Sequence, residues 1–304
     1  MRGWLISIVA LTIVSCTASR KMQPASNKDF DTQGHRGCRG LMPENTIPAM
    51  IKALDIGVHT LELDIVFTKD KKAVLSHEPF FNHEISTRPG GELVRADEEK
   101  SLNIYQMTYD EVKDYDVGNR PHPRFPGQQK FHAIKPLLED MLDSVKLHVQ
   151  QSGRPMPDFN METKTSPLTD NVYHPAPEEF VDRLMEVVNR KGIADRTIIQ
   201  SFDFRTLQYL HKKFPAIRTA MLIEDFDKRS LSQQVDALGF VPTIYSPAYS
   251  LVNDSLVKAC HDRGIKIIPW TVNDRLTIDR LTAIGVDGII SDFPNLFFNR
   301  DAAH

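Results

Sequence analysis

The sequence predicts a (β/α)8 barrel, the fold also called a TIM barrel. Eight short segments typical of strands follow residue 31, and amphipathic segments typical of helices lie between most of them. Such an alternation over about 270 residues is the pattern of one closed barrel of parallel strands. An open, doubly wound sheet is the alternative, and it ranks second because no glycine-rich phosphate-binding motif follows the first strand.

The eight predicted strands are Thr32–His35, Thr60–Phe67, Asp158–Thr163, Thr197–Phe202, Arg218–Ile223, Thr243–Pro247, Lys266–Val272 and Gly288–Ser291. Helices are predicted where apolar residues recur with helical spacing. In residues 178–192 one such face contains Phe180, Val181 and Leu184, and Gly192 ends the helix. Similar amphipathic segments cover residues 204–214, 253–264 and 274–285.

A polar insertion, from about Phe80 to Phe131, interrupts this alternation. It is rich in proline, glycine and charged residues and carries no clear periodicity. A loop that long inside a compact domain is usually a lid, a small subdomain or a disordered segment. Because the insertion follows the second barrel strand, which carries candidate functional residues, we expect a lid over the mouth of the barrel.

The N-terminus is typical of an exported protein. Arg2 precedes an apolar run from Trp4 to Val14, which is too short to span a bilayer comfortably and is typical of a signal-peptide core. The run ends in Ile-Val-Ser-Cys, which resembles the lipobox of bacterial lipoproteins, where the cysteine is lipidated and becomes the first mature residue. An ordinary signal peptide with an incidental Cys16 is the alternative.

These features divide the chain into a signal peptide (residues 1–16), a flexible tether (residues 17–30) and the barrel (residues 31–304). We expect the protein in the bacterial cell envelope, lipid-anchored to a membrane at the periplasm or outer membrane. The 37 Lys and Arg nearly balance the 40 Asp and Glu, which gives no indication of nucleic-acid binding. Three cysteines form neither a metal-binding pattern nor an even set for disulfides.

The first candidate site is the segment QGHRGCRGLMPENTIPAM, at the end of the first predicted strand. Gly34 and Gly37 allow the backbone to turn tightly and to approach a ligand closely. His35 and Arg36 therefore lie where a strand ends and a loop leads into a helix, a common place for functional groups in α/β proteins. Pro43 suits the first turn of that helix.

The segment TLELDIVFT places two carboxylates on one face of the second barrel strand, because Glu62 and Asp64 alternate with apolar residues. On an inner face they would repel each other and be costly to desolvate unless a cation lies between them. Glu162 on the next barrel strand adds a third carboxylate, and such an all-oxygen set suits Mg²⁺ or Ca²⁺. Lys164 shares its face and either holds an anionic substrate or forms only a salt bridge.

Two histidines form a candidate acid/base couple. His77 follows a strand-like run and precedes a proline, so it lies near another strand end, as His35 does. Imidazoles with ordinary pKa values near 6.5 are suited to proton transfer near neutral pH. Arg36 offers a planar donor to phosphate oxygens. Trp270, near the end of the seventh predicted strand, forms either an apolar wall of the site or part of the core, and Asn273 is a polar contact or a helix cap.

Together, seven motifs resemble the glycerophosphodiester phosphodiesterases, in the order of that family and over almost the whole mature chain. They are HRG with PENT, ELDI, LSHEP, METK, SFD, PWTVND and GVDGIISDFP. The resemblance implies metal-dependent hydrolysis of glycerophosphodiesters to sn-glycerol 3-phosphate and an alcohol, with one divalent cation as cofactor. It also places the family's own insertion where this chain carries residues 80–131.

The resemblance also implies residue roles. His35 and His77 would be the catalytic pair, Arg36 would contact the phosphate, and the metal would be held by Glu62, Asp64 and Glu162. This family commonly has Asp after the second histidine, and this chain has Glu78, which leaves the orientation of His77 open.

Two rival functions stay open at this stage. One is a phospholipase of the same barrel lineage that acts on intact lipids, which the three carboxylates and the insertion disfavour. The other is a binding lipoprotein without catalytic activity, which the presence of every expected acid, base and metal position disfavours. The choice between Ca²⁺ and Mg²⁺ is open as well, because both accept carboxylate oxygens.

The lipobox interpretation predicts the outcome of a Cys16→Ser substitution. The several acyl chains of a bacterial lipoprotein anchor it firmly, so the variant should leave the membrane fraction for a soluble or unprocessed form. Cell fractionation of both proteins measures this. Equal retention in the membrane fraction would indicate an uncleaved apolar segment or another attachment instead.

Overall fold

The computed structural model describes residues 30–298, so the predicted signal peptide, Cys16 and nearly all of the tether lie outside the described residues. Within this range the strands are β1 (Asp31–Gly34), β2 (Thr60–Phe67), β3 (Ala73–Leu75), β4 (Asp158–Thr163), β5 (Thr197–Ser201), β6 (Arg218–Ile223), β7 (Ile244–Pro247), β8 (Lys266–Ile267) and β9 (Gly288–Ser291). The helices are α1 (Ile47–Ile56), α2 (Tyr109–Val112), α3 (Leu138–Ser152), α4 (Pro177–Lys191), α5 (Phe204–Lys213), α6 (Leu231–Leu238), α7 (Asp254–His261) and α8 (Arg275–Ala283). No described helix combines the length and the apolar character that crossing a membrane requires.

Eight of these strands form the predicted parallel barrel. They pair in the order β8-β7-β6-β5-β4-β2-β1-β9, and β3 pairs antiparallel with the carboxyl-terminal end of β2. Backbone hydrogen bonds from Ile290 to the carbonyl of Pro269 (3.0 Å) and from Asp287 to the carbonyl of Ile267 (2.9 Å) join β9 to the chain around β8 and complete the ring. The (β/α)8 prediction is confirmed.

Two local predictions are wrong. The strand expected over Lys266–Val272 ends at Ile267, because Pro269 has no N–H to continue the ladder, so Trp270 lies beyond the strand. The helix after β1 does not begin at Pro43. Thr46 caps it by accepting a hydrogen bond from the Ala49 N–H, and Pro48 occupies its first turn.

The interior of the barrel is half apolar and half polar. The apolar half is formed by Ile198, Ala220, Ile244, Ile268 and Ile290. In the polar half, Asn160 donates to the side-chain oxygens of Gln33 (2.9 Å) and Gln200 (3.0 Å). Gln200 in turn donates to Glu62 at 2.7 Å. This chain of hydrogen bonds ends on a carboxylate at the mouth of the barrel. Asn160 Oδ1 is buried and has no hydrogen-bond partner among the described residues.

The main apolar core lies between the barrel and its helices. The predicted apolar face of α4 is confirmed, since Phe180, Val181 and Leu184 are all buried. The ring of Phe180 meets Phe67 of β2 edge-on, with the ring centroids 4.8 Å apart. Packing of this kind fixes the outward face of β2, so its inward face has a defined direction.

The insertion is a folded unit with its own apolar cluster. The residues of this cluster are Val66, Val74, Phe81, Val94, Ile104, Tyr109, Val112, Tyr115, Val117 and Ala133. Within it, Phe81 stacks on Tyr115 with ring centroids 3.8 Å apart. The insertion is therefore attached to β2 and β3 by shared packing as well as by the chain. Its closure over the mouth of the barrel stays a prediction.

The packing of α4 on β2 predicts a large loss of stability for Phe180→Ala. Removing a fully buried phenyl ring and leaving a cavity typically lowers the free energy of unfolding by about 3–5 kcal/mol. Urea unfolding followed by circular dichroism measures the change. The control is Leu276→Ala, because Leu276 is 82% exposed, and it should change the free energy of unfolding little. A small effect of Phe180→Ala would contradict the described packing.

Candidate active site

The residues predicted for the site meet at the carboxyl ends of the barrel strands. A cavity of about 420 Å³ opens there. It is lined by His35, Arg36, Glu62, His77, Glu162 and Trp270, together with side chains of the insertion. The strand-end positions predicted for His35 and His77 are therefore confirmed, and parallel barrel strands bring Glu62 and Glu162 to the same edge.

The loop after β1 makes a turn that only glycines allow. A Cβ atom on Gly34 would lie 2.1 Å from the carbonyl oxygen of Gly37, and one on Gly37 would lie 2.7 Å from the backbone of Ala49. Arg36, between them, has a left-handed φ of 49°, which is strained for a residue with a side chain. This turn aims the Arg36 N–H at Glu62, which accepts its hydrogen bond at 2.8 Å.

The structure brings the three predicted carboxylates together. β2 and β4 are in register so that Asp64 lies beside Glu162, and one oxygen each from Glu62, Asp64 and Glu162 lie within 4.8 Å of one another. Burial, and then repulsion from Asp64, raise the pKa of Glu62 well above its usual value. Burial also raises the pKa of Glu162, to about 7. Without a cation, protonation of Glu62 and Glu162 is therefore favoured.

The donor set of this cluster fits a divalent cation. All of its ligand atoms are carboxylate oxygens, which hard cations such as Mg²⁺ and Ca²⁺ prefer. Asp64 Oδ1 is buried and accepts no hydrogen bond from the described residues. A buried acceptor without a donor is costly, and a cation at this point would satisfy it.

Asp64 stays ionised because two cations and an amide face it. Burial opposes ionisation, but Arg36 and then Lys164 outweigh it and hold the pKa of Asp64 well below its usual range. Arg36 Nε lies 3.2 Å from Asp64 Oδ2, and Lys164 Nζ lies 3.7 Å from Asp64 Oδ1. Asn45 donates to Asp64 Oδ2 at 2.8 Å.

The Pro-Glu-Asn-Thr segment also holds Arg36. Glu44 accepts a hydrogen bond from Arg36 Nη1 at 2.8 Å. Burial alone would raise the pKa of Glu44, but Arg36 and then Arg39 lower it to about 2. Two of the five donors of the Arg36 guanidinium face Glu44 and Asp64, and the guanidinium also lines the cavity.

His35 is held as a neutral base. Burial lowers its pKa to about 4, although Asp292 acts in the opposite direction. Nδ1 of His35 lies 2.6 Å from Asp292 Oδ1. A carboxylate only accepts, so Nδ1 carries the proton and Nε2 does not. Nε2 lies 3.9 Å from Glu62 Oε2, which places an unprotonated nitrogen beside the carboxylate cluster.

Asp292 is itself fixed by two side chains. Arg39 donates through Nε at 2.9 Å and through Nη2 at 3.0 Å. Asn273 donates through Nδ2 at 2.7 Å. Asn273 is thus a polar contact in the site, and the prediction of a helix cap is wrong for it, because Asp274 caps α8.

His77 is held by Glu78, which stands where the family that the sequence resembles commonly has Asp. Its Nδ1 lies 2.8 Å from Glu78 Oε1, so Glu78 orients the imidazole and leaves Nε2 for the cavity. Burial, and then the charges of Lys164 and Arg36, lower the pKa of His77. The side chain of His77 is 30% exposed and that of His35 is 13% exposed, so His77 is the histidine with better access to water.

The two walls of the cavity differ in character. Trp270 donates Nε1 to the carbonyl of Ser246 at 2.8 Å, and its ring meets Phe202 with centroids 5.5 Å apart. It lines the cavity and packs against the apolar interior of the barrel, and its role toward a substrate stays a prediction. The opposite side carries Asn82, Glu84, Ile85, His122 and Arg124 of the insertion.

Sequence reasoning missed several residues of this site, namely Arg39, Glu44, Asn45, Lys135, Gln200 and Asp292. Glu44 and Asn45 stand in the PENT motif, and Asp292 directly follows the last strand, so their positions carried a signal. Lys135 lies in a segment without any motif. Cys38 and Cys260 are buried, and burial raises the pKa of both thiols to about 12, which disfavours the reactive thiolate form.

Comparison with known proteins relates this site to one family. The model of the glycerophosphoryl diester phosphodiesterase family matches residues 35–296. A glycerophosphodiester phosphodiesterase of Bacillus altitudinis is 31% identical over 264 residues, covering 86% of this chain and 94% of that protein.

Solved structures show the same relationship. A Silicibacter pomeroyi DSS-3 protein named for the same activity is similar with a TM-score of 0.78 at 30% identity, covering 88% of this chain and 91% of that chain. An Oleispira antarctica phosphodiesterase, solved with the product sn-glycerol-3-phosphate, shares the fold with a TM-score of 0.68 at 19% identity, covering 87% of this chain and 94% of that chain.

The crowding of the carboxylates predicts two opposite effects of Glu62→Gln. The substitution removes a charge that is unfavourable when buried beside Asp64, so the metal-free variant should melt at a higher temperature than metal-free wild type. In the wild type, Mg²⁺ or Ca²⁺ is expected to raise the Tm, and Glu62→Gln should lose this rise because a ligand is gone. Thermal denaturation with chelator, and after each ion is added back, measures both.

The control for this experiment is Glu186→Gln, because the side chain of Glu186 is 70% exposed and far from the cluster in sequence. It should keep the metal-dependent rise in Tm. A Glu62→Gln protein that still gains stability from either ion would remove Glu62 from the metal site.

Proposed function

Because the chain belongs to the glycerophosphoryl diester phosphodiesterase family, and is therefore a phosphoric diester hydrolase, we propose that it converts glycerophosphodiesters to sn-glycerol 3-phosphate and an alcohol. One observation carries the proposal. Two imidazoles, each held through Nδ1 by a carboxylate, line the same cavity as Glu62 and Glu162, which cluster with Asp64. This combination offers proton transfer and charge stabilisation at one place, which phosphodiester cleavage requires.

In this proposal Glu62, Asp64 and Glu162 hold one divalent cation, either Ca²⁺ or Mg²⁺. When bound, the ion supplies positive charge that stabilises the phosphoryl oxygens. The protein orients each ligand through a hydrogen bond from Gln200, Asn45 or Lys164. Such supporting contacts commonly set the affinity and orientation of metal ligands.

Arg36 and Lys164 bind the phosphate in this proposal. The remaining donors of the Arg36 guanidinium face an anion as a planar fork. Lys164 Nζ donates to Glu162 at 2.7 Å and lies near Asp64, and it keeps further N–H donors for a phosphate oxygen. Trp270 provides the apolar wall against which the carbon skeleton of glycerol packs.

The two histidines move the protons. Nε2 of His35 accepts the proton of the attacking hydroxyl, because Asp292 keeps the proton of the neutral ring on Nδ1. His77 donates a proton to the leaving alcohol, and its greater exposure allows it to exchange protons with water. The attacker is the neighbouring hydroxyl of glycerol, so the first step forms a cyclic phosphate and releases the alcohol. Water then opens the cyclic phosphate, and the two histidines exchange roles.

We place the enzyme outside the cytoplasm, in the cell envelope, with Cys16 as its lipid anchor. The apolar run and the lipobox-like segment of the N-terminus support this location.

The proton transfers predict that His35→Ala and His77→Ala each lower kcat by about 10²–10⁴-fold. Metal affinity should stay nearly intact, because neither histidine belongs to the carboxylate cluster. Release of glycerol phosphate from a panel of glycerophosphodiesters and intact phospholipids measures activity, and calorimetry measures metal affinity. His132→Ala is the control, because the side chain of His132 is 68% exposed and does not line the cavity.

The proposed attacker is tested with a substrate that lacks the glycerol hydroxyl next to the phosphate. Wild-type enzyme should turn it over poorly. Fast cleavage would show that water attacks directly, and near-normal turnover by His77→Ala would remove His77 from the mechanism.

A further inference from the structure

Lys135 is a buried lysine that the proposed chemistry does not use. It is 4% exposed and lies shortly before α3, beneath the site. Its ammonium donates one hydrogen bond, to Ser76 Oγ at 2.8 Å. Among the described residues, no carboxylate lies within ion-pair distance of it. Burying an ammonium with so few partners is costly, so its presence needs a specific reason.

Ser76 connects Lys135 to the turn that carries His77. Ser76 is fully buried, and its hydroxyl donates to the carbonyl of Glu78 at 2.5 Å. The hydroxyl has one hydrogen, so its lone pairs are left to accept from Lys135. The Ser76 N–H donates to the carbonyl of Asp64 at 3.1 Å, which ties the same turn to the end of β2.

Glu78 is therefore held twice. Its carbonyl accepts from Ser76, and its carboxylate accepts from Nδ1 of His77 at 2.8 Å. The side chain of Glu78 is 30% exposed, so water competes for its carboxylate. Asp292, the partner of His35, is 1% exposed and receives three further hydrogen bonds. The backbone turn therefore contributes more to the orientation of His77 than the corresponding turn contributes to the orientation of His35.

Lys135 is in turn held by the insertion. Its Nζ lies 5.6 Å from the ring centroid of Phe81, which belongs to the insertion's apolar cluster. Its carbonyl accepts from the Tyr109 hydroxyl at 3.4 Å. Burial lowers the pKa of Lys135 to about 8, against the attraction of Glu44 and Glu78, so the ammonium persists at neutral pH.

We propose that Lys135 is a positioning residue for His77, acting through the hydrogen bond to Ser76 that holds the Ser76–Glu78 turn. This hydrogen bond thereby links the insertion, whose apolar cluster contacts Lys135 through Phe81, to the orientation of His77. The inference rests on the proposed role of His77 in hydrolysis. A proton donor misplaced by about 1 Å loses up to about 100-fold in rate.

The test uses Lys135→Met, which keeps the length of the side chain without the donor, and Ser76→Ala, which removes the relay. Each should lower kcat by about tenfold to a hundredfold, with KM and metal affinity within about twofold of wild type. The double variant should be no slower than the slower single variant, because both substitutions break one connection. Val94→Ala is the control, since Val94 is 1% exposed in the same cluster but has no bond to the turn. It should lower stability and leave kcat unchanged.

Several results would overturn the inference. One is a rise in KM with unchanged kcat for Lys135→Met, which would assign Lys135 to charge attraction of the substrate. Another is a double variant whose loss of kcat equals the product of the two single losses, because the two substitutions would then act independently. If Lys135→Met does not fold, the kcat of Ser76→Ala tests the inference by itself. A normal kcat of that variant overturns the inference.

His77→Ala in the same assay separates the two proposals. If His77→Ala is nearly inactive while Ser76→Ala and Lys135→Met keep full activity, only the positioning role fails. If His77→Ala is itself nearly fully active, the proposed acid/base role fails, and the positioning role fails with it.

Discussion

Mutual repulsion between three buried carboxylates is the constraint on which the site depends. Glu62, Asp64 and Glu162 face one another because two neighbouring parallel strands are in register. Their charges are tolerated only because Arg36 and Lys164 face them and a cation fits among them. The left-handed backbone at Arg36 follows from the same constraint, because it turns the Arg36 N–H toward Glu62 while the guanidinium reaches Asp64. Strain in the loop is offset by these contacts.

The two histidines are held by the same kind of contact in different environments. Each donates Nδ1 to a carboxylate and leaves Nε2 for a substrate. The partner of His35 is deeply buried and clamped by Arg39 and Asn273, so its geometry is rigid. The partner of His77, Glu78, is 30% exposed and belongs to a turn in which the Ser76 side chain is buried. In the proposed mechanism, this difference in environment gives two chemically identical groups different roles.

The insertion shares apolar packing with the barrel and contributes side chains to the cavity. Its apolar cluster includes Val66 of β2 and Val74 of β3, so the insertion and this edge of the barrel share one packed cluster. Its polar side chains form one wall of the cavity, opposite the aromatic wall of Phe202 and Trp270. A barrel can vary its substrates by changing such a wall while its strand ends stay the same.

Local patterns in the sequence determined the alternation of strands and helices and the shared face of Glu62 and Asp64, because both depend on neighbouring residues and a fixed period. Motifs marked His35, Arg36 and His77 as strand-end groups. Tertiary structure decided what those groups touch. Asp292 meets His35 across 257 positions of the chain, and Lys135 reaches Ser76 across 59. Such pairs arise only when the barrel closes and the insertion folds against it, and no local period encodes either event.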